Sequence, residues 1–157
     1  MQDAAYWRAN PINPLPKEIA LSPDSSAIAA AARTLQFFCH GQARANGWWT
    51  DMLSGADLTS SGYPLHRPTK NVPELLCLVH SELSEAMEGY RKTRMDEHLP
   101  LRTALEVELA DAVIRLFDMS GGLGLDLAGA IAEKLAFNAA RADHTPEARR
   151  AVGGKIF

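Results

Sequence analysis

The chain has 157 residues, of which 46% are hydrophobic and 22% charged, and its formal net charge is -3. This length and balance predict one soluble globular domain with a core of its own. The acidic balance argues against a duplex nucleic-acid partner, and no apolar run is long enough to span a bilayer. The two cysteines belong to no disulfide framework, and the start of the chain lacks the order of a signal peptide. We therefore expect a cytoplasmic protein without a membrane partner.

The first 23 residues form a proline-rich segment that precedes the rest of the pattern. Four of the nine prolines lie here: Pro11, Pro14, Pro16 and Pro23. Proline lacks an amide donor and disfavours helix at the residue before it. We predict an extended N-terminal arm over residues 1–23 and a folded domain over residues 24–157.

The folded part of the chain reads as four helices. Apolar residues at helical spacing place them at about 27–45, 73–93, 101–120 and 126–142. Asp24, Ser25 and Ser26 offer N-cap side chains before the first helix, and Asp126 before the fourth. The third helix is apolar on two opposite sides, which predicts that it is sandwiched between neighbours. The segment 48–72 fits no period and is long for a loop of a compact domain, as functional loops often are. No stretch alternates as a strand does, so the class is all-α, a four-helix bundle-like subunit.

Two pairs of acidic residues stand out against this helical pattern. Glu82 and Glu85 are three residues apart on the second predicted helix, and Glu108 and Asp111 are three apart on the third. This spacing puts both side chains of a pair on one helix face. If the two helices pack antiparallel along their apolar stripes, the four carboxylates converge at one edge of the contact. Clustered carboxylates repel one another, and a hard divalent cation such as Mg2+ neutralises them.

Spacing alone leaves two interpretations of these acids equally open. Carboxylates three residues apart are also common on solvated helix faces, where they bind nothing. A metal site and a solvated surface are therefore equally compatible with the two pairs taken by themselves.

Polar residues on the fourth predicted helix form a second candidate site. Lys134, Asn138 and Arg141 share a face beside the apolar stripe of that helix. Cations there suit phosphate oxygens, and the amide suits a phosphate or a base edge. The alternative is an ordinary solvated rim of the helix.

Two residues outside the helices are further candidates for binding. Trp48 can stack on a nucleobase or anchor the loop that follows the first helix. Lys155 follows two glycines and can fold over a bound phosphate, or it belongs to a disordered tail.

The acidic pairs also carry a resemblance to a known family. The segment from His80 to Ala86, followed by Glu108 to Asp111, resembles the E-x-x-E … E-x-x-D signature of MazG-like nucleoside triphosphate pyrophosphohydrolases. Between Glu85 and Glu108 lie 22 residues, a gap of the sort this family shows.

Three other segments resemble the same family in the same order along the chain. The segment from Lys134 to Arg141 resembles its K-x-x-x-N-x-x-R element, and Gly153-Gly154-Lys155 resembles its closing glycine–lysine element. Gly47-Trp48-Trp49 is similar to the stretch after the first helix in short, often phage-encoded members. The resemblance covers residues 33–157 and leaves the proline-rich arm outside.

The resemblance implies a fold, an activity and a set of site residues. The fold is an all-α subunit completed by dimerisation, as a homodimer or a dimer of dimers. The activity is hydrolysis of a nucleoside or deoxynucleoside triphosphate to the monophosphate and pyrophosphate, with Mg2+, or Mn2+ in its place, as cofactor. The metal ligands are Glu82, Glu85, Glu108 and Asp111. As a hypothesis, Glu85 accepts the proton of the attacking water, and the substrate is bound by Lys134, Asn138, Arg141, Trp48 and Lys155.

Two other classes of protein compete with this interpretation. One is a non-catalytic, dimeric helical adaptor or regulatory module that keeps the same fold. The other is a different helical, metal-dependent phosphohydrolase, but the adjacent His-Asp pair expected of that group is absent from the sequence.

Overall fold

The computed structural model describes residues 24–60 and 68–154. The predicted arm at 1–23 and Lys155 lie outside the described residues. Within them the secondary structure is helical, without a strand, so the predicted all-α class is confirmed. The elements are α1 (Ser25–Ala45), α2 (Val72–Lys92), α3 (Ala104–Gly122), α4 (Leu127–Ala139), a single 3-10 turn (Ala142–His144) and the short α5 (Pro146–Arg150).

Side chains of cap residues fix where α1, α2 and α4 begin. Asp24 accepts a hydrogen bond from the amide of Ser26, Asn71 from the amide of Glu74, and Asp126 from the amide of Gly129. Each cap satisfies one of the first amides of a helix, which have no partner within the helix itself. The caps that the sequence predicts at Asp24 and Asp126 are thereby confirmed.

The start of α3 is held by a reciprocal pair of hydrogen bonds. The amide of Glu106 donates to Thr103 Oγ1 at 3.2 Å, and the amide of Thr103 donates to Glu106 Oε2 at 2.9 Å. This capping box begins α3 at Ala104, so the predicted start near residue 101 was three residues early. The correction follows from the T-x-x-E spacing, which marks a helix start more sharply than the apolar pattern does.

A tight connection ties the end of α2 to the start of α3. Thr93 ends α2 in the left-handed conformation at φ 51°, and the amide of Ala104 donates to the carbonyl of Arg94 at 3.0 Å. A Cβ on Gly89 would lie 2.8 Å from the Cβ of Ala104, so only glycine permits this approach. The two helices that carry the acidic pairs are therefore joined closely and run back along each other.

The four long helices pack in the spatial order α2, α3, α1, α4. The central α3 packs against α2 and against α1, which confirms that it is sandwiched. A small core lies where α1, α3 and α4 meet, formed by Ala32, Phe117 and Ala128. No helix among the described residues is both long enough and apolar enough to cross a bilayer.

The end of α4 differs from its prediction. The helix ends at Ala139 rather than near 142, and Arg141 has an extended backbone that precedes the 3-10 turn. Thr145 then caps the short helix α5, which begins at Pro146, beyond the last helix that the sequence predicts. Arg141 therefore does not share a helix face with Lys134, and that prediction was wrong. The alanine-rich sequence does not show where the last turn of the helix ends.

We predict that Thr103→Ala lowers the free energy of unfolding by about 1 kcal/mol, because it removes the cap of α3. For a chain of this size that corresponds to a fall in Tm of about 2–4 °C. Thermal unfolding followed by circular dichroism measures it. Thr34→Ala is the matched control, since Thr34 Oγ1 only bonds back to the carbonyl of Ala30 inside α1. Equal Tm values for Thr103→Ala and the wild type would contradict the role of the cap.

Candidate metal centre

Glu82 lies on the face of α2 that packs against α3. The buried residues of α2 are Val79, Glu82, Ala86 and Gly89, at the three- and four-residue steps of a single helix face. The side chain of Glu82 is only 8% exposed. A carboxylate at such a position loses its water and needs a counter-charge or a proton.

Glu108 and Asp111 approach Glu82 from α3. One carboxylate oxygen from each of the three residues lies within 4.8 Å of the others. The three side chains are buried or half-buried. The structure therefore brings three of the four predicted metal ligands to one point between two helices.

Glu85 lies close to this group but not within it. It is exposed, one step further round α2 than Glu82. Its charge still reaches the cluster, because it is one of the causes that raise the pKa of Glu108. Glu85 is thus placed to face solvent beside the other three acids.

Arg115 provides the positive charge at this point. Its Nε donates to Glu82 Oε1 at 2.6 Å, and its side chain is 43% exposed. Arg115 is four residues after Asp111 and so lies on the same side of α3. The sequence analysis did not single it out, although this spacing was visible.

Burial and like charges act together on Glu108. Burial raises the pKa of the Glu108 carboxyl, and the charges of Glu85, Glu82 and Asp111 and a hydrogen bond to Glu82 raise it further. The pKa of Asp111 is also raised, by burial first and then by Glu82 and by Asp96 of the α2–α3 loop, while Arg115 opposes the shift. The cluster therefore holds negative charge at an energetic cost that a cation would relieve.

The donor set suits a hard cation. All of the grouped donors are carboxylate oxygens, the ligands preferred by Mg2+, Ca2+ and Mn2+. Two ligands on opposite sides of an octahedral Mg2+ lie about 4.2 Å apart. The three carboxylate oxygens lie within 4.8 Å of one another, close enough to share one ion. Geometry and chemistry thus both fit one divalent ion.

The predicted substrate-binding residues lie elsewhere on the fold. α4 packs mainly on α1, away from the contact between α2 and α3. Lys134 Nζ lies 4.7 Å from the ring centre of Phe137, and Arg141 forms two hydrogen bonds to Asp143. Asn138 Oδ1 is buried and has no hydrogen-bond partner among the described residues. Trp48 is 68% exposed at the end of α1.

A second polar cluster links α1, the following loop and α3. Trp49 is buried, and its Nε1 donates to Asp118 Oδ1 at 2.7 Å. His40 Nδ1 lies 3.0 Å from the same oxygen. The Trp49 ring occupies the space that a Cβ on Gly122 would need. Of the adjacent Trp48 and Trp49, it is therefore Trp49 that anchors the loop. Its partner Asp118 was not predicted from the sequence.

Comparison of the chain with models of known protein families, with curated proteins and with solved structures finds no match.

We predict that Glu108→Gln raises the Tm of the metal-free protein, and that the gain grows with pH. The folded-state pKa of Glu108 is raised, so the folded protein holds the proton longer than the unfolded chain. Stability is therefore lost as pH rises above the ordinary value of 4.5. Glutamine cannot ionise and escapes this loss.

Thermal unfolding in a chelator, from about pH 4 to pH 7, measures the difference between variant and wild type. Glu133→Gln, at an exposed position of α4, is the control for the change in net charge. If the gain in Tm of Glu108→Gln over the wild type stays constant or shrinks toward neutral pH, ionisation of Glu108 does not destabilise the folded protein.

Proposed function

We propose that the protein is a Mg2+-dependent hydrolase that splits a nucleoside or deoxynucleoside triphosphate into the monophosphate and pyrophosphate. The observation that carries the proposal is the convergence of Glu82, Glu108 and Asp111 between α2 and α3. The E-x-x-E … E-x-x-D motifs of MazG-like pyrophosphohydrolases support it, because they contain these same residues. The activity fits a cytoplasmic role in controlling or cleaning the nucleotide pool.

The acidic residues divide into ligands and a proton acceptor. Glu82, Glu108 and Asp111 would hold the ion, and Mg2+ bound there would neutralise phosphate charge and activate a water. Glu85, whose exposed side chain lies beside the cluster, would complete the ligand set. From the same position it can accept a proton from a water at the α-phosphorus.

The candidate substrate residues have different requirements. Lys134 is exposed on α4, which packs on α1 rather than at the acid cluster, and it is assigned on the motif resemblance. Arg141 has to exchange Asp143 for a phosphate, two acceptors that suit its guanidinium equally. The exposed ring of Trp48 offers a stacking face for a base. Asn138, whose Oδ1 is buried without a hydrogen-bond partner among the described residues, is assigned on the motif resemblance. Lys155 is assigned on the motif resemblance alone.

The proposed enzyme works as a homodimer, singly or as a pair of dimers. The support is an apolar stripe next to the packed face of each acidic helix. On α2 it is formed by Leu76, Leu83, Met87 and Tyr90, and on α3 by Leu109, Val113 and Leu116. These side chains are between 37% and 71% exposed in the single chain. Apolar surface of this extent is usually covered by a partner.

We predict that the wild-type protein releases pyrophosphate, not phosphate, from at least one member of a panel of nucleoside triphosphates with Mg2+. Asp111→Asn should lower kcat/KM by about 100-fold or more, because it removes a ligand charge. Asp111→Asn keeps the Glu82–Arg115 ion pair and so spares the fold.

The control for this variant is Glu88→Gln, which alters a half-buried carboxylate on α2 that is ion-paired with Arg91 and Lys92. It should retain wild-type turnover. Absence of pyrophosphate release, together with no effect of Mg2+ on Tm, would favour the non-catalytic helical adaptor instead.

We predict a mass of about twice 17.1 kDa, or four times that value, in light scattering of the wild-type protein. Met87→Lys should shift the protein toward monomer, because it places a charge in the apolar stripe. Leu53→Lys is the control, since Leu53 is fully exposed in the loop after α1. A monomeric wild type would overturn the dimer proposal.

A further inference from the structure

The two residues of the Arg115–Glu82 ion pair differ in how far they are exposed to solvent. Glu82 is buried on the packed face of α2, whereas nearly half of the Arg115 side chain remains exposed. The guanidinium of Arg115 donates through Nε to Glu82, at 2.6 Å. The carboxylate is thus fixed by packing, while the arginine keeps room to move.

Arg115 and a divalent cation would have to share the carboxylate of Glu82. The oxygen of Glu82 that faces Glu108 and Asp111 belongs to a carboxylate already engaged by Arg115. A positive guanidinium next to a doubly charged ion is repelled by it in a partly buried site. Placing both on Glu82 is therefore less favourable than exchanging one for the other.

Charge compensation explains how Glu82 is accommodated in the metal-free protein. Glu82, Glu108 and Asp111 carry up to three negative charges when ionised, and among the described residues Arg115 is the only cation paired with any of them. Without a counter-charge, a buried carboxylate such as Glu82 would destabilise the fold. With Arg115 in place, the packed contact between α2 and α3 can form before any cation binds.

We propose that Arg115 is a built-in counter-ion of the metal centre, which holds Glu82 in the metal-free protein and releases it when a divalent cation binds. This inference rests on the proposed function, because it takes the acid cluster to be the cation site. Arg115 is then a positioning residue: it preserves the geometry of an empty site and weakens cation binding by competing for Glu82. The released guanidinium is left at the open side of the site, where it can meet a phosphate oxygen.

Titration of Mn2+ into metal-free protein, by calorimetry, tests the competition. Arg115→Gln should bind Mn2+ at least about tenfold more tightly than the wild type, since the competing charge is gone. Arg115→Lys, which keeps the charge, should stay close to the wild type. Arg44→Gln is the control for the loss of one positive charge, because Arg44 pairs with the exposed Asp57 away from the site.

Thermal unfolding separates competition from a purely structural role. Metal-free Arg115→Gln should melt at a lower temperature than the wild type, because Glu82 loses its counter-ion. Saturating Mn2+ should close that gap, since the ion replaces Arg115. A structural ion pair that persists with metal would leave the gap open.

The wild-type protein alone gives a third readout if Arg115→Gln does not fold. The Nε–H of Arg115 donates to Glu82 and should give a protected, shifted NMR signal in the metal-free state. Saturating Mg2+ should move this signal to the position of a solvated guanidinium.

The outcomes separate the inference from the proposed function. Mn2+ binding to the wild type with unchanged or weaker affinity in Arg115→Gln, or an Nε–H signal unmoved by Mg2+, overturns the counter-ion role and leaves the function standing. A wild type that shows neither Mn2+ binding nor thermal stabilisation overturns both. Tighter binding in Arg115→Gln, with a closed Tm gap, supports the inference.

Discussion

The structure depends on one constrained interaction, the burial of Glu82 in the contact between α2 and α3. An ionised carboxylate among core positions is tolerated only when a positive charge meets it. Arg115 supplies that charge from the neighbouring helix, on the same side as Glu108 and Asp111. Charge compensation and the candidate chemistry therefore meet in the contact between α2 and α3.

The rest of the fold keeps this contact in register. The capping box at Thr103 and the close approach at Gly89 fix how α3 starts against α2. Two turns beyond Asp111, Asp118 binds the buried Trp49 and so ties α3 to the loop after α1. Glu108 and Asp111 thus lie on the central helix α3, which is packed on both sides, and Glu82 meets them from α2; this suits a site whose ligands must keep their geometry.

The sequence predicted the class of fold and the acidic helices well, because both depend on periodicity. Three-residue spacing was enough to place Glu108 and Asp111 on one face, and the caps at Asp24 and Asp126 were readable from residue type. Arg115 was missed because its contact depends on how far a long side chain reaches between helices, which periodicity does not determine. The role of Arg141 could not be predicted either, since the end of α4 depends on local hydrogen bonds rather than on apolar spacing.

The proposed function requires that Glu82, Glu108 and Asp111 bind a divalent cation together. Diffraction from crystals grown with Mn2+, recorded so that manganese scatters anomalously, tests it most directly. If the three carboxylates share one ion, a single strong anomalous peak should lie within about 2.0–2.5 Å of an oxygen from each of them. A peak elsewhere, or none between α2 and α3 at saturating Mn2+, would contradict it.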